Sequence, residues 1–426
     1  MVQMKIYSIF FYIIFCLSIE FGSIQAQENG RLASLDMLVK EALQNNPEIK
    51  SAERLWRAYL ERPKQVSTLP DPIFSYSIFG ANIETRVGPQ ENVLALSQRI
   101  PFPGKLGLKG KMAKQDALVQ EQLYETTKRD VVFKVKQAYY DLYWVDRSLT
   151  ILSQYLGILQ DFTRVAEQKY ATGQGIQANV LKSQVEISST LKQRLDFEKM
   201  RRGVVARINA LLDQSQDTEL GVASQIDTVR LQLDEEPLVN LAQSHREELQ
   251  VVQAMIDKSE FMKSLAKRNF LPDFNFQANY IDVSKGVSTA PDAGKNAWSV
   301  MVGLNLPIWL GKRNAAVREA DETISSNRLA YENLENQVKA EIKDFYYQVQ
   351  ITGRTLDLYE QGLIAQAESS LESSLASYRT GRLDFLNLLD AERMLLNLNL
   401  GYVKEQSSYQ TQLAALERAV GGELPQ

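Results

Sequence analysis

Thiols, imidazoles and long apolar runs are almost missing from this chain: its 426 residues include one Cys and one His. A single cysteine, Cys16, excludes a disulfide-stapled scaffold. One histidine, His245, with no cysteine outside the first 26 residues, excludes a zinc-type metal centre. No apolar run after residue 26 reaches the roughly 18 residues that a membrane-spanning helix needs. A net charge of −4 lacks the basic excess of nucleic-acid binders, so no nucleic acid is expected as a partner. Proline is absent where it matters most. None of the 12 falls between Pro103 and Pro237, a gap of 133 residues, or between Pro307 and Pro425, a gap of 117. Two blocks are therefore free of the strongest helix breaker. With 44% apolar and 23% charged residues, the chain is not a disordered one.

The N-terminus reads as a secretory signal, residues 1–26. Lys5 gives a positive start, Ile6 to Ile19 an apolar segment, and Ser23-Ile24-Gln25-Ala26 a cleavage point after Ala26. This 14-residue segment falls short of the ~20 needed to span a bilayer. Phe15 precedes Cys16 where a lipoprotein signal has a small residue, which argues against lipidation. An exported chain without a spanning helix can be an integral membrane protein only through β-strands.

The remainder repeats itself. Leu69-Pro70-Asp71 recurs as Leu271-Pro272-Asp273 after 202 residues, and Pro101 with Gly104-Lys105 recurs as Pro307 with Gly311-Lys312 after 206 and 207. Tyr139-Tyr140 returns as Tyr346-Tyr347, and Tyr170-Ala-Thr172-Gly173 as Tyr378-Arg-Thr380-Gly381, at 207 and 208. Matches in one order with a slowly drifting offset indicate a tandem duplication. The expected repeats are 27–220, with a β-hairpin at 73–100 and a helical hairpin at 105–213, and 221–426, with the corresponding segments at 274–306 and 312–420.

Two periodicities separate the parts of each repeat. Phe274, Phe276, Ala278 and Tyr280 alternate with Asn275, Gln277 and Asn279, while Trp298, Val300, Val302, Leu304 and Leu306 alternate with Ser299, Met301, Gly303 and Asn305. In the first repeat Phe74, Tyr76 and Ile78 alternate with Ser75 and Ser77, and a returning strand spans Val93 to Ile100. Period two with one apolar face predicts strands, joined through loops at Gly80–Gln90 and Ser284–Lys295. At about 8–10 residues each, the strands suit an outer membrane, and a soluble β-sandwich is the alternative. Four strands do not close a barrel; three chains pooling theirs would supply twelve. The long blocks instead follow steps of four and three: Val131, Val135, Ala138, Leu142, Val145, Leu149, Leu152, Leu156 and Leu159. A second seam runs Tyr331, Leu334, Val338, Ile342, Phe345, Val349, then Leu356, Tyr359 and Leu363. These are coiled-coil seams. They predict long helices over Lys105–Tyr170 and Lys312–Tyr378, each about 100 Å if unbroken, reversed at the Thr-Gly turns into Ile176–Leu212 and Asp384–Val420. Shorter helices precede the strands, over Pro47–Val66 and Glu247–Arg268.

Catalytic constellations are missing. His245 stands beside Arg246, Glu247 and Glu248 in what reads as a solvated first turn of a helix, not a ligand or base. The Gly-Lys pairs 104–105 and 311–312 lack a phosphate-loop context, and a turn glycine explains them. No catalytic residue, cofactor or metal site is assigned, and no enzyme activity is expected. One cluster stands apart: Arg382, Asp384, Asn387 and Asp390 follow the second turn, with Asn387 and Asp390 three apart on one helix face. In a symmetric oligomer a pore-facing Asp390 becomes a ring of carboxylates that attracts cations. The other reading is a solvent-facing helix start.

The duplicated Tyr-x-Thr-Gly turns, followed by Val180-Leu181 and Leu388-Leu389, the two Leu-Pro-Asp strand entries and the run Arg99-Ile-Pro-Phe-Pro-Gly-Lys105 resemble the TolC family of outer-membrane efflux proteins. Leu-Pro-Asp-Pro72 and Pro-Phe-Pro-Gly-Lys105 are most similar to its heavy-metal cation branch, of the cobalt-zinc-cadmium and copper-silver kind. The resemblance implies a mainly α fold with a β-barrel portion: coiled-coil helical hairpins form a periplasmic tunnel, and four membrane strands per chain close as a trimeric twelve-stranded barrel. It implies a homotrimer in outer-membrane lipid, docked through Tyr170, Thr172, Gly173, Tyr378, Thr380 and Gly381 on a periplasmic adaptor, which joins it to an inner-membrane pump of the RND type. Such a protein is the passive channel of a tripartite efflux system, here with metal cations as the implied cargo. Asp390 matches an acidic place at the family's periplasmic entrance, whereas Asn387 occupies a second such place without a charge. A type I secretion channel, a periplasmic adaptor and an exported coiled-coil scaffold are the alternatives. An adaptor would show one helical hairpin, not two.

Overall fold

The computed structural model describes residues 34–223, 226, 230–232 and 234–424. The leader reading of residues 1–26, with Lys5, Cys16 and the cleavage point, lies outside the described residues. In chain order the elements are α1 (Leu35–Asn45), α2 (Pro47–Leu60), α3 (Arg62–Ser67), β1 (Ile73–Ile83), β2 (Gln90–Ile100), α4 (Lys105–Ala171) and α5 (Gln177–Leu212). After these come α6 (Glu235–His245), α7 (Glu247–Arg268), β3 (Phe274–Val283), β4 (Ala297–Leu304), α8 (Leu310–Leu358), a π-helical turn (Tyr359–Leu363), α9 (Ile364–Arg379) and α10 (Phe385–Val420). Contacts divide the described residues into two compact units, one drawn from within 1–40, 138–227 and 363–407, the other from within 41–137, 228–362 and 408–426. Each unit draws on both halves of the sequence.

The second of these units holds the strands. They form one antiparallel sheet in the order β1-β2-β3-β4. Phe74 lies opposite Leu96 and Tyr76 opposite Leu94; Leu94 faces Tyr280 and Gln98 faces Phe276; Phe276 meets Val302 and Tyr280 meets Trp298. This register gathers most of the apolar and aromatic residues of the four strands on one face, because side chains alternate along a strand. The opposite face carries Ser75, Ser77, Ser97, Asn275, Gln277, Asn279 and Ser299. The apolar face is uncovered: Trp298 is 77% exposed and Ile78 71%. β1 runs three residues beyond Gly80, past the expected loop boundary, and β4 ends at Leu304, before Leu306.

One carboxylate ties sheet to helices in this unit. Asp273, at the entry to β3, accepts hydrogen bonds from Lys105 Nζ and Arg99 Nη2 at 2.8 Å each and from the Phe102 amide at 3.0 Å. Lys105 also donates to the Leu271 carbonyl at 2.8 Å. The side chain of Asn305 holds the Asp273 amide, and its own amide donates to the Asp273 carbonyl at 3.2 Å. Thus the duplicated Leu-Pro-Asp and Gly-Lys motifs meet: the second entry grips the first exit. Gly104 takes φ +90, a backbone conformation that a side chain would strain, and the Arg268 guanidinium fills the space beside it. Desolvation pushes the Asp273 carboxyl upward, but hydrogen bonds from Lys105, Phe102 and Arg99 outweigh it and hold the pKa down at about 2.

Away from the sheet, the same unit corrects one expectation. His245 ends α6 instead of starting a helix, and its exposed ring contacts Ser244 Oγ and the Leu241 carbonyl. Arg246 and Glu247, expected in solvent, are buried. Arg246 donates to the Ala419 carbonyl and pairs with Glu341, while Glu247 pairs with Arg129. A sharp helix-to-helix junction, packed on the end of α10, turns charges that read as surface into interior partners.

The other unit is a helical assembly built on the expected seams. Leu142, Val145, Leu152 and Leu159 of α4 are fully buried, and Leu152, Leu156 and Leu159 continue the four-and-three spacing. The loop after α5 is anchored by Asp146, which pairs with Arg201 at 2.7 Å and accepts from the Ala223 amide at 3.1 Å. The second long block, 312–378, does not run as one continuous α-helix. It is interrupted by the π turn at Tyr359–Leu363, where Gly362 lies within the widened turn. No described helix is long and apolar enough to cross a membrane.

Replacing Asp273 with Ala strands the buried Lys105 ammonium and should cost about 3 kcal/mol of stability. Because the folded pKa is depressed, the wild-type contribution is complete above the ordinary carboxyl value of about 3.9 and is lost as pH falls through about 2. Unfolding midpoints in detergent at pH 2 to 7 check this: the gap between wild type and variant should close in acid.

Candidate docking turns and pore entrance

Both Thr-Gly turns have the same backbone wiring. Gly173 donates to the Tyr170 carbonyl at 3.0 Å and Gln174 to that of Lys169 at 2.8 Å; Gly381 donates to Tyr378 at 3.1 Å and Arg382 to Ser377 at 2.9 Å. This nested pair of bonds is the Schellman ending of a helix, which needs a left-handed residue. Gly173 and Gly381 supply it at φ +71 and +72. Thr172 and Thr380 add side-chain bonds back to the last helical carbonyls, Thr172 to Gln168 and Lys169, Thr380 to Ala376 and Ser377. The repeated Thr and Gly are therefore turn chemistry.

The tyrosines differ. Tyr170 is 49% exposed, whereas Tyr378 is 6% exposed. Tyr378 packs against Phe385, with ring centroids 5.7 Å apart, beneath the Lys169 ammonium at 3.9 Å. Lys169 also donates to the Tyr378 carbonyl at 2.9 Å, stitching the two turns together. Burial, then the charge of Asp384, raises the Tyr378 hydroxyl pKa. Of the six predicted docking residues, Tyr378 supports its turn from inside while Tyr170, Thr172, Gly173, Thr380 and Gly381 are exposed.

On α10, Phe385, Leu388, Leu389 and Leu396 are buried in a cluster with Leu159 and Ala166. Helical periodicity then places Asn387 and Asp390 together on the opposite, exposed face, as predicted from their spacing. Arg382 and Asp384 are also exposed, and neither makes an ion pair among the described residues. Asp390 contacts Arg393 at 3.4 Å. Arg393 is mainly committed elsewhere, reaching Glu186 of α5 through Nη2 at 2.7 Å and Nε at 3.2 Å. Tyr155 donates to the same Glu186 at 3.3 Å. Sequence reasoning missed this Tyr155–Glu186–Arg393 link. Only the spacing of Asp390 and Arg393 hinted at part of it, since Glu186 comes from a helix 207 residues away.

Beside it Glu392 is 3% exposed, with one carboxylate oxygen unpartnered among the described residues. Desolvation raises its pKa. Hydrogen bonding to Glu186 raises the pKa of Arg393, and burial, then the charges of Glu186 and Glu392, raises that of Tyr155.

Comparison with known proteins places this geometry. The family model described as outer membrane efflux protein matches residues 38–214 and again 238–422. The chain belongs to that family. It is an outer-membrane protein, the channel component of a tripartite efflux system, with its helical tunnel in the periplasm. Members of the family are trimeric channels that work with adaptors and inner-membrane pumps. Among relatives, the chain is 21% identical to the outer membrane protein TolC of Vibrio cholerae over 72% of this chain and 72% of that protein. It is 22% identical to the cation efflux system protein CusC of Escherichia coli K12, over 90% of this chain and 86% of that one. The solved structure of VceC from Vibrio cholerae superposes with a TM-score of 0.76 at 20% identity, covering 91% of this chain and 96% of that one. The matches to CusC-type proteins agree with the resemblance to the cation branch.

For this efflux protein, Glu392→Gln should stabilise the fold at pH 7 by about 1 kcal/mol, by removing an unpartnered buried charge. The raised folded pKa means that wild-type stability is greatest below the ordinary value of about 4.3 and falls as pH rises through the folded value. Thermal midpoints of both proteins in detergent should converge in acid and separate toward neutrality.

Proposed function

We propose that three copies pool their strands into one twelve-stranded barrel in outer-membrane lipid and form a passive conduit below it. The observation that carries this reading is the four-stranded sheet, apolar on one exposed face and open along β1 and β4. Lipid offers no partner to unpaired backbone groups, so a sheet with two open edges enters it only when further strands close it. The polar face then lines water.

The exposed residues of the two turns, Tyr170, Thr172, Gly173, Thr380 and Gly381, dock on a periplasmic adaptor, and the adaptor couples the conduit to an RND-type inner-membrane pump. Asp390 faces the pore at its periplasmic entrance, flanked by Asn387, Asp384 and Arg382. Metal cations are the proposed cargo, supported by likeness to a cation efflux protein along 90% of the chain. Opening separates helices at the turns, so the Arg393–Glu186 link and the Lys169–Tyr378 stitch are contacts that resist it.

A Cβ at Gly173 or Gly381 meets no atom within 4 Å, so bulky residues there disturb the turn at a cost of about 1–2 kcal/mol each without disrupting the packed core. The double variant Gly173→Val with Gly381→Val should reach the outer membrane as a trimer that dissociates on heating, yet lose export. Unchanged export would remove the turns from docking.

Asp390→Ala should weaken block of single channels by multivalent cations at least about tenfold in planar bilayers, since three carboxylates leave the ring together. The same block in wild type and variant would place Asp390 away from the entrance.

A further inference from the structure

At the base of the sheet an acidic strand entry is satisfied by a basic strand exit, Asp273 by Lys105, with Arg99 assisting. The repeat supplies a second copy of both motifs. Asp71 stands in Leu69-Pro70-Asp71 before β1, and Lys312 in the segment after β4 that corresponds to Lys105. Unlike Asp273 and Lys105, which are buried, Asp71 and Lys312 are both exposed, and neither forms an ion pair or side-chain hydrogen bond among the described residues. Asp71 borders an open cavity of about 970 Å³ together with Arg99 and Lys105. It pairs with neither, because both cations are committed to Asp273.

Sheet order explains why these two charges do not meet each other within one chain. The β2 exit adjoins the β3 entry, so Lys105 reaches Asp273. The β4 exit and the β1 entry lie at opposite edges of the same sheet. They become neighbours only when β4 of one copy pairs with β1 of the next.

We propose that Lys312 of one protomer pairs with Asp71 of its neighbour, repeating between subunits the Lys105–Asp273 junction that each protomer makes internally. This rests on the trimer reading above and assigns the residues that close it. The two junctions differ in strength. Asn305 occupies the place of Arg99 at the repeat offset of 206, and one extra residue separates Pro307 from Gly311-Lys312. The subunit junction therefore has one cation where the internal one has two, and it is the weaker seam. The same junction repeats at each subunit boundary, so each substitution acts at every boundary at once.

The test places Asp71→Cys and Lys312→Cys together in a full-length Cys16→Ala chain and treats isolated outer membranes with a short bis-maleimide. Two- and three-chain species on denaturing gels, absent from either single-cysteine chain, are expected. A protein that runs as a heat-dissociable trimer but gives no cross-link overturns the proposed pair and leaves the trimer reading standing. A protein that never runs as a trimer overturns both. In the otherwise native chain, Asp71→Lys or Lys312→Asp should speed trimer dissociation in heated detergent about tenfold, which corresponds to about 1.4 kcal/mol. The combined exchange should recover the wild-type rate, and an exchange that recovers nothing overturns the ion pair.

Discussion

A strand in lipid has nowhere to place an unpaired amide or carbonyl except on another strand. This constraint governs the four-stranded sheet and, through it, the rest of the molecule. Apolar side chains from Phe74 to Trp298 turn the sheet inside out relative to a soluble protein, with its greasy face exposed. Such a face would be an aggregation hazard in water, but in a bilayer it is the solvated one. The sheet's open edges make the single chain incomplete, so oligomerisation is a condition of the fold and not an addition to it.

The helices obey a simpler demand. The long helices bury a seam against neighbouring helices, which is why Leu142, Val145, Leu152 and Leu159 are fully buried although α4 carries charged residues throughout. Ionic groups are placed where this regularity ends. Asp273 sits where a helix gives way to a strand, Arg246 where two helices meet, and Asp146, from within α4, reaches across to hold the loop that follows α5. At these ends backbone donors and acceptors lack helical partners, and charged side chains satisfy them at a strength that neutral ones do not reach.

The two turns share the hydrogen bonds that end their first helices and diverge in their side chains. Tyr378 is enclosed and Tyr170 is not, and only the second turn is followed by a carboxylate-bearing exposed face. The repeated Tyr-x-Thr-Gly motif thus keeps its backbone chemistry while its surroundings differ. The buried Glu392 beside Glu186 and Arg393 is an energetic cost placed close to the proposed entrance, where a packed but imperfect interface is easier to open.

Strand alternation, helical seams, the Thr-Gly endings and the pairing of Asn387 with Asp390 on one face were legible from the residues, because each depends on spacing within one element. So were the repeat motifs, although their purpose was not. What the tertiary structure decided is which distant groups meet. That Asp273 belongs to Lys105, Glu186 to Arg393 and Glu247 to Arg129 follows from partners 168, 207 and 118 residues apart. Charged side chains carry no periodic signature of their partners, so Arg246 and Glu247 read as surface. The π turn at Tyr359–Leu363 was equally hidden, since one widened turn leaves the composition of a helix unchanged. Local spacing is written in the chain, whereas burial and pairing depend on which elements the fold brings side by side.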